Sequence, residues 1–167
     1  MVEEPTSRAT AAYRTLAPGV LGYLRAQRAP EPEDVLGEVF LQVARDIHRF
    51  RGDDGDLRRW VFSIAHNRVV DAQRRRGRGR STPHPAPGEA EDARLPVAAA
   101  PADPIDPALV EALARLTDDQ REILVLRFVA DLPIEAVAKV TGRKPGAVKA
   151  LQHRALDNLR KAISPGA

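Results

Sequence analysis

Residues 134–151 read IEAVAKVTGRKPGAVKAL, two short helical patterns on either side of a glycine. Two helices that cross steeply need a small side chain at their closest approach, and Ala138 supplies it. Four residues later the turn between them needs a positive φ, which Gly142 adopts without steric cost. Val137, Val148 and Leu151 stand where apolar side chains would pin the second helix to the first. Pro145 suits a first helical position, where its missing N–H would be unpaired anyway. The stretch predicts a helix-turn-helix. Its second helix turns Lys144, Gly146, Lys149, Ala150 and His153 outward, flanked by Arg143 and Arg154. Such a helix fits the DNA major groove, where Lys and Arg bond guanine edges and small side chains approach thymine methyls. A plain helical hairpin would satisfy the same spacing. The charge favours DNA, because Lys139 to Lys161 carries seven bases against one acid.

Upstream of this stretch, Thr117-Asp118-Asp119-Gln120 reads as a capping box, with Thr117 at N-cap and Gln120 at N3. Leu109, Leu113 and Leu116 form an apolar stripe before it, and Ile123, Leu124, Leu126 and Phe128 follow. Residues 108–163 thus make one small helical domain. Gly77 to Pro107 is different: it holds seven of the fourteen prolines and three glycines, with no aromatic residue and no sustained period. Such a stretch buries too little surface to offset its ordering entropy, and residues 77–107 read as a flexible, partly extended linker.

A second domain is expected over residues 8–76. Tyr13, Leu16, Val20, Leu21 and Leu24 recur at helical spacing, with Pro18 and Gly19 weakening the middle. Pro30 and Pro32 end that helix and open a second, over 33–47, which carries Val35, Val39, Phe40, Val43 and Ile47 on one side. Glu31, Glu33 and Asp34 suit the positive end of its dipole. Residues 51–55, RGDDG, form a loop, and Asp56 reads as the N-cap of a third helix over 57–76. Leu57, Trp60, Val61, Ile64, Ala65 and Val69 give that helix an apolar side, and Trp60 reads as core rather than a stacking platform. The fold class is therefore all-α: two small helical domains joined by a linker.

The net charge of +3 hides a repeated polarity. Glu31 to Asp56 holds eight acids and three bases, and His66 to Arg80 holds six bases and one acid. Ile105 to Ala138 is again acidic, with seven acids and three bases, ahead of the basic Lys139 to Lys161. Two basic stripes, each closing a helical unit, suit a polyanion. With no cysteine, disulfides and thiolate metal sites are excluded. His48, His66, His84 and His153 share no ligand spacing, and Asp53, Asp54 and Asp56 miss that of a calcium loop. No catalytic residue, metal, cofactor or small-molecule substrate is expected, and the chain does not read as an enzyme. No apolar run approaches the roughly 20 residues that span a bilayer, and residues 1–10 lack a signal peptide's apolar stretch, so no membrane insertion and a cytoplasmic location are expected.

Residues 24–76 resemble the most characteristic region of sigma-70-family factors, the small extracytoplasmic-function (ECF) group in particular. The matching residues are PEDVLGEVFLQV (32–43), FRG (50–52) and LRRWVFSIAHNRVVD (57–71). Residues 112–163 are similar to the same family's C-terminal domain. The resemblance implies a factor that directs bacterial RNA polymerase to promoters, with polymerase core, promoter DNA and an anti-sigma factor as partners. It implies that the helix over 33–47 grips the polymerase's largest subunit through Asp34, Glu38 and Gln42. It implies that the loop over 50–56 and the helix after it read the minus-ten element, through Arg51, Asp53, Arg59, Ser63, Asn67 and Arg74. The last four fall roughly opposite Trp60 and Ile64. The minus-thirty-five element would be read by Arg143, Lys144, Lys149, His153 and Arg154. Three residues depart from the family pattern: Gly37 where Gln is common, Ala44 where Trp is frequent, and Arg143 where the turn usually has an aliphatic residue, which implies a looser hairpin. Three other readings compete. An autonomous regulator would share only the helix-turn-helix, a small recombinase would need a nucleophile and an acidic cluster, and a sigma decoy would lose the basic faces.

Overall fold

A computed structural model describes residues 4–77 and 106–164. Most of the stretch expected as a linker lies outside the described residues. Among them are seven α-helices and no strand, and they fall into two compact units.

The first unit contains α1 (Pro5–Ala26), α2 (Pro32–Asp46) and α3 (Asp54–Gly77), with a 3-10 turn at Ile47–Arg49. Pro18 does not break α1. It lies on the exposed side, where water can satisfy the carbonyl that loses its N–H partner, while Ala17, Val20 and Leu21 beside it are buried. The three helices close a core around Val20, Leu24, Val39, Val43, Val61 and Ala65, all fully buried. Residues outside the expected stripes join it, Tyr23, Leu36 and Phe62 the largest of them. Leu36 is buried where Val35 is only half-buried, and Phe62 is buried with its ring edge-on to Tyr23 at 6.0 Å. A helix packed against two partners buries a wider arc than a single stripe.

The start of α3 corrects the expected cap. Asp53, not Asp56, is the N-cap. The Asp56 N–H donates to Asp53 Oδ1 at 2.8 Å, the Asp53 N–H donates to Asp56 Oδ2 at 3.2 Å, and the Leu57 N–H donates to Asp53 O. The pair is an aspartate version of the capping box, with Asp56 at N3.

The second unit contains α4 (Pro107–Ala114), α5 (Asp118–Leu124), α6 (Ile134–Thr141) and α7 (Pro145–Ile163), with a π-helical turn at Val125–Val129. Thr117 and Gln120 form the reciprocal capping box read from the sequence. Leu116, Leu124 and Ala155 cluster in the core, joined by Leu113, Leu156 and Leu159. The π turn directs Phe128 and Val129 outward, at 59% and 53% exposure, so Phe128 is not core.

Candidate nucleic-acid and partner interfaces

Helix α7 is held so that one arc is free. Gly142 closes α6 in the left-handed conformation, at φ 69°, and the Arg143 N–H donates to Ala138 O at 3.0 Å. Val137 and Val148 are fully buried, Ala138 is buried at the crossing, and Leu151 is half-buried. Going round α7 at roughly 100° per residue, Lys149, His153, Gly146 and Ala150 share an arc of about 100° on the side away from Val148 and Ala155. All four are exposed, as is Arg154 at the edge of the arc and Lys144 at the N-cap. A Cβ at Gly146 would meet nothing within 4 Å, so the start of the helix is open to a close approach. Arg143 is only partly exposed and pairs with Asp119 at 2.8 Å. That ion pair ties the turn to α5, and the hairpin is braced where a looser one was expected.

Two arginines that the sequence reading did not single out support this unit. The buried Arg121 donates to Leu113 O at 3.1 Å, Leu116 O at 3.0 Å and Asp118 Oδ1 at 3.0 Å. A buried guanidinium is tolerable when its donors are matched in this way, and here it closes the α4–α5 corner. Arg127 donates to Leu132 O at 2.7 Å and to Gln152 Oε1 at 3.0 Å, fastening α7 to the π turn one residue before His153. No helical period signals such side chain-to-backbone contacts.

In the first unit, the polar face of α3 is real but differently placed. At roughly 100° per residue, Arg59, Ser63, Asn67 and Arg74 lie opposite Val61 and Ala65, while Trp60 sits at the edge of their arc beside Asn67. Asn67 and Arg74 are exposed. Ser63 spends its hydroxyl on Arg59 O at 2.8 Å, and Arg59 leans toward Asp56 at 3.8 Å. Arg74, Arg75 and Arg76 follow one another at the negative end of the helix dipole. Arg51 and Asp53 are committed to the shape of the loop. Arg51 Nη1 donates to His48 O at 3.0 Å and Phe50 O at 2.9 Å, and Asp53 caps α3. Trp60 is half-buried and stacks on Phe50, with ring centroids 5.2 Å apart and planes 20° from parallel, so it belongs to the loop as much as to the core.

On α2, Asp34, Glu38 and Gln42 share one side with Leu41, an aliphatic residue 45% exposed that the sequence reading passed over. Arg68 of α3 reaches both polar neighbours, donating to Glu38 Oε2 at 3.3 Å and Gln42 Oε1 at 3.2 Å. Asp34 is exposed. Glu33 accepts from Arg25 at 2.9 Å, and that hydrogen bond holds its carboxyl below the ordinary value. An exposed leucine on the same side as Asp34 and Glu38 suits a protein partner with a basic surface.

Residues 12–79 match the family model for Sigma-70 region 2, and residues 112–161 match that for Sigma-70, region 4. The ECF RNA polymerase sigma factor SigD of Mycobacterium tuberculosis is 34% identical over 157 residues, covering 89% of this chain and 74% of that protein. The ECF RNA polymerase sigma factor BldN of Streptomyces coelicolor is 32% identical over 146 residues, covering 84% of this chain and 54% of that longer protein. Among solved structures, the sigma factor RpoE of Bartonella quintana, co-crystallised with the anti-sigma factor NepR, is similar with a TM-score of 0.70. It covers 95% of this chain and 98% of its own at 20% identity, a likeness of fold. Two region models in sigma-factor order, and a relative that is a third identical over most of both chains, place this chain in the ECF group of sigma-70-family RNA polymerase sigma factors.

Proposed function

We propose that the chain directs bacterial RNA polymerase to specific promoters, acting as an initiation factor rather than a catalyst. The observation that carries this is a pair of exposed polar helix faces, one in each unit. The exposed Asn67 and Arg74 lie along α3, the helix that follows the Phe50–Asp56 loop, in one unit, and the Gly146–Lys149–Ala150–His153 arc of α7 lies in the other. In this reading residues 8–76 bind polymerase and the minus-ten element. Asp34, Glu38 and Gln42 face the polymerase, and Arg51, Asp53, Arg59, Ser63, Asn67 and Arg74 serve the DNA. Asn67 both donates and accepts toward a base edge, Arg59 and Arg74 hold phosphates, and Arg51 and Asp53 shape the loop that receives a flipped base. Residues 108–163 bind the minus-thirty-five element, with Lys149 and His153 on base edges and Arg143, Lys144 and Arg154 on phosphates. Residues 77–107 tether the two. An anti-sigma factor would silence the protein by covering the same surfaces. No described helix is long and apolar enough to cross a membrane.

The test is run-off transcription with core polymerase on a promoter library. Defined start sites should appear only when the protein and core are both present. Promoter binding and regulation that proceed without core would instead identify an autonomous regulator.

A further inference from the structure

Arg8 lies near the start of α1, 42 residues before Phe50, yet it makes two contacts to that residue. Its guanidinium carbon lies over the Phe50 ring at 5.2 Å from the centroid, and its Nη1 donates to Phe50 O at 3.5 Å. Arg51 donates to the same carbonyl at 2.9 Å, and the ring stacks on Trp60. Phe50 is thus held from α1, from α3 and by its own neighbour. It is also the residue from which the chain enters Arg51-Gly52-Asp53. The far end of that loop is already fixed by the Asp53–Asp56 cap, so Phe50 is where its entry angle is set.

The position of Arg8 argues against a merely structural part. The buried residues of α1 begin at Ala12 and run to Leu24, so the helix is anchored without its first turns. Arg8 itself is half-buried and contributes nothing to that core. It belongs to α1, and its side-chain contacts are to Phe50. What it fixes is the loop. A loop that must order itself while capturing a flipped base loses part of the binding energy to that ordering, whereas one held beforehand does not.

We propose that Arg8 is a positioning residue for the minus-ten loop: through Phe50 it presets the loop that captures the nontemplate base. The proposal rests on reading that loop as part of the minus-ten reader.

The experiment uses holoenzyme reconstituted from the full chain, in the wild type and in Arg8→Met, Arg8→Lys, Phe50→Leu, the Arg8→Met/Phe50→Leu double variant and Arg51→Ala. Core affinity is measured separately from promoter opening, the latter by 2-aminopurine fluorescence in the nontemplate minus-ten strand. Trp60 is this chain's only tryptophan, so emission of the free chain, before core is added, reports the Phe50 stack, and circular dichroism of the free chain checks folding. Arg8→Met should shift Trp60 emission, leave core affinity within about twofold, and lower opening about two- to fivefold, the scale of one cation–π contact. Arg8→Lys should recover only part, because an ammonium does not stack as a planar guanidinium does. In the Phe50→Leu background Arg8→Met should add nothing further. Unchanged opening in Arg8→Met would overturn the proposal. So would a full Arg8→Met penalty in the Phe50→Leu background, which would mark a direct phosphate contact. If Phe50→Leu and Arg51→Ala are both folded, bind core and open the promoter normally, the minus-ten reading itself fails, and the proposal with it.

Discussion

Gly52 sits at φ 148°, and a Cβ there would come within 2.7 Å of Asp56 Cβ. That atom is attached to the backbone of the α3 cap and cannot swing aside, so the close approach of loop and helix requires glycine. Gly52→Ala should cost about 1–3 kcal/mol, visible as a lower thermal midpoint, and should weaken promoter opening more than core binding. At the other reader, Lys149→Ala should cost roughly 1–3 kcal/mol of minus-thirty-five affinity and relax preference at one position, while Arg154→Ala should weaken all sequences alike. Competition binding across single-base variants of the element separates the two patterns. A uniform loss in Lys149→Ala would make that residue a positioning contact.

Each element shows where sequence periodicity suffices and where it does not. The Thr117–Gln120 box was legible because both partners lie within one turn and match the Thr-x-x-Gln capping pattern. At α3 two aspartates three residues apart bond each other reciprocally, so composition alone does not rank Asp53 above Asp56 as the cap. Gly142, Ala138 and Val148 were legible because a steep helix crossing admits few residue types at those points. Arg8 on Phe50, Arg68 on Glu38 and Arg121 on the α4–α5 corner were not, since contacts across the fold leave no period in the chain. Thr117→Ala should lower stability by about 1 kcal/mol, read from the thermal unfolding of the full chain. On α2 the polymerase reading gives a sharper expectation. Asp34→Lys with Glu38→Lys should abolish co-purification with core polymerase. Because Glu38→Lys also sets a cation against Arg68, helicity is compared with wild type, and Asp34→Lys alone, which leaves that pair intact, should weaken core binding in the same direction. Near-native core affinity in a folded double variant would remove α2 from the interface.

For the molecule as a whole, each proposed reader is one face of a small helical unit, and a module of that size would make few phosphate contacts and bind duplex DNA weakly alone. The composition of residues 77–107 predicts a tether that raises the effective concentration of the second contact without setting its distance. Docking both units on polymerase would set that distance, so promoter recognition should belong to the holoenzyme rather than to the free chain. The most direct measurement is a titration of labelled promoter, with a scrambled duplex as reference, by the free protein and by holoenzyme at one salt concentration. Sequence-specific affinity should rise by at least about two orders of magnitude with core present, about 2.7 kcal/mol of coupling. Equal specific affinities with and without core would contradict a polymerase-dependent promoter reader.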